Sequence, residues 1–306
     1  MSTTMTLDAF VAQGWQDHAK EPAAVWARLH EALPLVSNAG EIPFVAALVT
    51  HVSGEHLGKW AEGVAMLAQL GGLPVCAAGS PEAKVLSRSQ AALLLCAGDE
   101  AGWKRAAAAG GSGHEASDRI RILATASSAL AGQHRTAEAI TRFEEALALA
   151  SYGPDAKDPA ARALAVTGNN LAAELAEKAE LTEAEKHLMI EAAKTGRKYW
   201  EIAGTWREVE RAEYRLSVSY LKAGITKAAR EHAALCLLIV HANGSEPGEL
   251  FFGFECESRA YMASLDHEGA RAARLAAAEV LEKIEDPGTR EFCAGELAKL
   301  TALVGG

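Results

Sequence analysis

Residues 220–236, YLKAGITKAAREHAALC, decide the fold. Tyr220 precedes Ala229 by nine positions, and Ala233 and Cys236 follow that alanine by four and by seven. The same offsets recur in Leu130…Ala139–Phe143–Ala146 and in Tyr261…Ala270–Arg274–Ala277. Gly224 between the large residue and the alanine reads as a helix stop. Spacings of four and seven place side chains on one helical face. Each unit is therefore a helical hairpin with a small-residue seam. Such a hairpin cannot bury its apolar face alone, so hairpins stack and share a continuous core.

Working outward, Gly, Pro and Asn cut the remaining sequence into helices of similar length. The expected pairs are Thr6–His18 with Pro22–Leu33, Pro43–Val52 with Glu55–Leu70, and Pro81–Ala97 with Asp99–Ala109. Four more follow: Glu115–Ala131 with Arg135–Ser151, Asp158–Ala179 with Thr182–Trp200, Thr205–Ala223 with Thr226–His241, and Glu249–Leu265 with Glu268–Glu285. A last helix, Pro287–Leu300, closes the array. Thr182 with Glu185 three residues on predicts a capping box. Gly110-Gly111-Ser112-Gly113 reads as a flexible joint. It separates N-terminal hairpins over 1–109 from the better-matching hairpins over 114–306, within what is otherwise one array. The expected fold class is all-α, over ~70% helix, a right-handed superhelical solenoid of about seven antiparallel helix pairs plus the closing helix.

Composition agrees. Hydrophobic residues make up 49% of the 306, enough for a large core, while aromatics are only 6%. Abundant alanine favours helix and close helix approach. The net charge of −10 argues against general nucleic-acid binding, which needs a basic stripe. No stretch of about 20 apolar residues exists, so no membrane span is expected. Met1 to Phe10 carries neither a basic region nor an apolar run, which predicts no secretory signal. The five cysteines show no Cys-x-x-Cys spacing and read as small buried hydrophobes of a reducing, cytoplasmic protein.

Catalytic signatures are missing: there is no His-Glu-x-x-His, Gly-x-Ser-x-Gly or Walker-type loop. His51 and His56 are the closest suggestive pair, but Ser53-Gly54 between them reads as a turn, which makes a solvated loop the expectation and a metal site not. No cofactor is expected. Trp200 and Trp206, flanking Ala203-Gly204, are the tryptophans expected at the surface; the other four read as hairpin packing.

The pattern resembles the tetratricopeptide repeat family. Leu123, Ser127, Leu130, Ala139, Phe143, Ala146 and Pro154 match its consensus in the fourth pair; Leu164, Gly168 and Leu171 start the fifth, with Ala184–Leu188 about four residues late. Leu216, Ser217, Tyr220 and Ala229 match in the sixth pair, and Phe254, Ser258, Tyr261 and Ala270 in the seventh. Spacings of 45, 45 and 41 between Ala139, Ala184, Ala229 and Ala270 exceed the family's period of about 34 residues. They are similar to the extended repeats of kinesin light chains and bacterial peptide-sensing regulators.

The resemblance implies that the first helix of each hairpin lines a concave face. Nine residues before the Leu/Tyr marker stand Arg121, Arg162, Arg211 and Phe252; two before it stand Ser128, Asn169, Val218 and Arg259; six before it, Ala124, Ala165, Tyr214 and Glu255. Asn169 after Gly168 matches the position that contacts ligand backbone in peptide-binding members, but Ala165 replaces the lysine of their carboxylate clamp. The candidate partner-binding residues are Arg121, Arg162, Asn169, Arg211, Tyr214 and Arg259. The alternative for the arginines is pairing with glutamates such as Glu174, Glu210 or Glu255. The expected function is a non-catalytic interaction scaffold for a protein or peptide, acidic if the arginines are free. A sensor of a short peptide or small ligand is the runner-up, an enzyme comes third, and homo-oligomerisation stays open.

Overall fold

A computed structural model describes residues 5–109 and 115–304. It is 81% helical, and no strand occurs among the described residues. The helices are α1 (Leu7–Asp17), α2 (Pro22–Arg28), α3 (Ile42–His51), α4 (Trp60–Gly71), α5 (Pro81–Cys96), α6 (Glu100–Ala109), α7 (Glu115–Gly132) and α8 (Thr136–Leu149). They continue as α9 (Pro159–Glu177), α10 (Glu183–Ala203), α11 (Trp206–Lys222), α12 (Thr226–Ala242), α13 (Pro247–Ala263), α14 (His267–Leu281) and α15 (Pro287–Val304). Thr6 caps α1, Ser80 caps α5, and Thr182 with Glu185 forms the expected capping box on α10. Among the described residues no helix is long and apolar enough to cross a membrane.

Contacts divide the chain into two units, residues 1–154 with 158–163, and 155–157 with 164–306. The expected joint at Gly110–Gly113 lies outside the described residues, and the division seen here falls within the turn before α9 and its first residues. In the first unit α1 packs on α3, α3 on α5 and α5 on α7, so the first helices of successive hairpins adjoin. The second unit repeats the arrangement with α11 on α13 and α13 on α15. This sequence-order stacking is that of an all-α helical solenoid. Leu29, Ile42, Leu48, Leu67 and Leu93 anchor the first core, and Val240, Phe251, Ala277 and Cys293 part of the second.

The small-residue seam has a polar component. Ser127, Ser217 and Ser258 are fully buried, and each donates its hydroxyl to a backbone carbonyl twelve residues on, at Ala139, Ala229 and Ala270, over 2.8–2.9 Å. One hydrogen bond thus ties the two helices of hairpins four, six and seven. The fifth hairpin solves the same problem without side chains. A Cβ on Gly168 would lie 2.5 Å from the Ala192 carbonyl and 2.6 Å from the Gly196 nitrogen, so only glycine admits this approach. This corrects the expected register: Ala184 is exposed, and Ala192 with Gly196 forms the seam of α10. The longer α10 shifts its packing face by about two turns. Trp200 also departs from expectation. It is buried at 8% exposure, with Gly204 folded against its ring, while Trp206 is half-buried under the Arg207 guanidinium.

A second departure lies at hairpin two. Ser53-Gly54 does not end the helix as a loop. The chain runs on from α3 through a π-turn, Val52–His56, closed by Leu57 N–H donating to the Val52 carbonyl at 3.1 Å. Tertiary packing holds this turn. Gln133 donates its side-chain amide to the Glu55 carbonyl at 2.6 Å, and Gly132 lets α7 approach so closely that a Cβ there would meet that oxygen at 2.5 Å.

Candidate functional site

In the second unit, ion pairs and ring contacts link α11, α13 and α15. Positions 207, 211 and 214 share a face of α11; 249, 252 and 259 share a face of α13; 292 and 296 share a face of α15. Glu249 is 6% exposed and receives Arg211 through two bonds, Nη2 at 2.5 Å and Nε at 3.2 Å. Arg207 approaches it at 3.6 Å and also pairs with Glu246. Further along the same helix, Glu255 is buried and accepts from the Tyr214 hydroxyl at 3.1 Å and from Arg259. Arg259 reaches across to Glu296 on α15 at 3.6 Å.

Between these ion pairs runs a row of rings. Tyr214 meets Phe252 edge-on at 6.1 Å between centroids, and Phe252 meets Phe292 at 6.1 Å. Phe252 is half-buried, and Phe292 is 61% exposed. Burial pushes the Glu255 carboxyl upward, opposed by the charge of Arg259. Burial and the adjacent Glu255 push the Tyr214 phenol upward too, so it stays protonated as a donor.

The structure brings Arg211, Tyr214 and Arg259 onto this surface, with the arginines committed to carboxylates of their own unit. Asn169, on α9 in the same unit, is half-buried, and its amide reaches Asn170 Oδ1 only at 3.5 Å. Arg121 and Arg162 belong to the first unit. Arg121 donates to Asp118 on its own helix at 3.4 Å, sharing that carboxylate with Arg88 of α5 at 3.1 Å. Burial and the Arg88 charge lower its pKa, outweighing the attraction of Asp118. Arg162 is exposed on α9. Arg121, Arg211 and Arg259 thus each pair with a carboxylate, of which only Glu255, on Arg259, is among the glutamates that the sequence suggested.

Sequence reading missed two groups. Phe292 was unremarkable because its helix was read only as an end cap. The pair His51 and His56 stands out in the sequence, but Ser53-Gly54 reads as a turn and nothing there links His18 to it; the fold joins all three into one cluster in the first unit. Burial and the two neighbouring imidazoles lower the His56 pKa. Four of the five cysteines are buried, as expected of small hydrophobes. All five are free thiols, and only Cys76 is not fully buried.

No family model and no curated protein matches this chain.

Proposed function

We propose that the chain is a non-catalytic helical-repeat module, of the tetratricopeptide type its sequence resembles, and that it binds a polypeptide segment on the α11–α13–α15 surface. One observation carries this reading: the Tyr214–Phe252–Phe292 row crosses the first helices α11 and α13 and the closing helix α15, and is bordered by Arg211 and Arg259. Aromatic and arginine side chains dominate the energetics of polypeptide recognition: rings offer large contact area with few rotatable bonds, and the guanidinium offers several directed donors. Paired arginines also change the expected partner. The carboxylates Glu246, Glu249, Glu255 and Glu296 balance the cations here, so a strongly acidic segment gains little unless it displaces one of them. The favoured segment places an apolar or aromatic side chain against Phe252 and Phe292 and completes hydrogen bonds with Arg211.

The test is selection of random-peptide phage on the full chain, with affinities of selected peptides measured for variants. Phe292→Ala, at an exposed position, should weaken selected peptides at least tenfold while the melting temperature stays unchanged, and Arg211→Ala should weaken them by a smaller factor. Failure to enrich any peptide, or enriched peptides indifferent to both substitutions, would refute the reading.

A further inference from the structure

The first unit carries a cluster that the interaction surface does not use. The π-turn is its cause. In an α-helix, residues five apart point about 140° away from each other. The wider π-turn swings His56 back beside His51, bringing their Nε2 atoms to 3.1 Å. His18, at the C-terminal cap of α1, closes the group. One nitrogen of each ring lies within 4.8 Å of the others, and the three rings stack edge-on at centroid distances of 4.8–5.2 Å.

The partners of the other nitrogens fix the chemistry. His51 Nδ1 faces the Glu55 carboxylate at 3.0 Å, and His18 Nδ1 faces the Trp15 carbonyl at 2.6 Å. A carboxylate and a carbonyl only accept, so both Nδ1 atoms carry a proton; in the neutral rings each Nε2 then offers a lone pair, and at His51 that lone pair accepts from His56 Nε2–H. An imidazole held at Nδ1 by a carboxylate or backbone carbonyl and free at Nε2 is the arrangement that orients a metal-binding histidine. Tetrahedral zinc with bonds of about 2.0–2.1 Å separates its ligand nitrogens by about 3.3 Å. The His51–His56 pair already stands near that spacing, and small side-chain rotations bring in His18.

We propose that His18, His51 and His56 form a three-imidazole site for a divalent transition-metal ion of the zinc class, with Glu55 and the Trp15 carbonyl as positioning groups. Three protein ligands leave the fourth position to water or an incoming group. All-nitrogen donors of intermediate softness select zinc, cobalt, nickel or copper over magnesium and calcium. A cleft of about 260 Å³, walled by Pro43, Ala47 and Val85 as well as Thr50 and Glu55, opens onto His51.

The experiment uses the untagged full chain, stripped with chelator and titrated with Co²⁺ as a spectroscopic stand-in for Zn²⁺. The expected result is one ion per chain, the intense visible bands of four-coordinate Co²⁺, and bleaching of those bands by one equivalent of Zn²⁺. His56→Gln should weaken uptake at least tenfold. His18→Ala should do the same; it sits at a helix end, so its helical circular dichroism should match the parent. Glu55→Gln should cost about tenfold in affinity with an unchanged metal-free melting temperature, and the exposed control His187→Ala should change nothing. Absence of stoichiometric uptake would overturn the proposal and leave the cluster as hydrogen-bonded neutral imidazoles. Uptake that survives both His18→Ala and His56→Gln would overturn it equally.

Discussion

Glu210 shows how one residue can carry a pH dependence. It sits on α11 at 1% exposure; Oε1 accepts from the Cys236 thiol at 2.7 Å, and no donor faces Oε2. Burial, reinforced by the adjacent Glu249 carboxylate, pushes its pKa from 4.5 up to about 8. The protonated acid supplies the missing donor itself, toward Glu249. An acid whose folded pKa is raised favours folding at low pH. Between about pH 4.5 and 8 the unfolded chain has released the proton and the folded chain still holds it, so stability falls as pH rises. Gln mimics the protonated acid and does not titrate. Glu210→Gln should therefore melt near the parent at pH 5 and progressively above it toward pH 8. Parallel melting curves across that range would show that the carboxyl ionises normally in the fold.

At the scale of the hairpin, the serine–carbonyl bonds make a sharper repeat signature than the alanines. Ser217→Ala and Ser258→Ala each remove one buried hydrogen bond between the two helices of a pair, a loss of about 1 kcal/mol. Because the two bonds belong to different hairpins, the double variant should lose the sum to within about 0.5 kcal/mol in urea unfolding. A double variant no less stable than either single would show that the bonds do not act independently. Elements also explain where sequence reading went astray. Most helix ends were legible, because Thr6, Ser80, Thr182 and the glycines after α5, α8 and α11 punctuate locally. The π-turn was not, because Ser53-Gly54 reads as a breaker. Gly132 at the end of α7 and Gln133 just after it pack against its backbone and hold it helical.

On the scale of the molecule, each unit has its own core, and Phe251 is fully buried in that of the second. Phe251→Ala should cost about 3–5 kcal/mol. If the units open separately, hydrogen exchange will accelerate in α11–α15 while α1–α5 keep their protection. Acceleration throughout the chain would mean that the two cores unfold as one cooperative body.

The sequence by itself determined the fold class, the helix pairing and the small-residue seam of hairpins four, six and seven. Those properties come from local signals: caps, stops and side chains recurring at helical offsets. It also placed arginines at equivalent positions of successive first helices. It offered Glu255 as a partner for the arginines, but it did not reveal that Arg211 faces Glu249, which lies on a neighbouring helix and becomes a partner only through packing. Nor did it register hairpin five, where Gly168 selects Ala192 and Gly196 over Ala184 through backbone contact. The histidine cluster depended most on tertiary structure. Its members come from two helices and an underwound turn, and an offset of five becomes an adjacency only after distant packing has reshaped the helix.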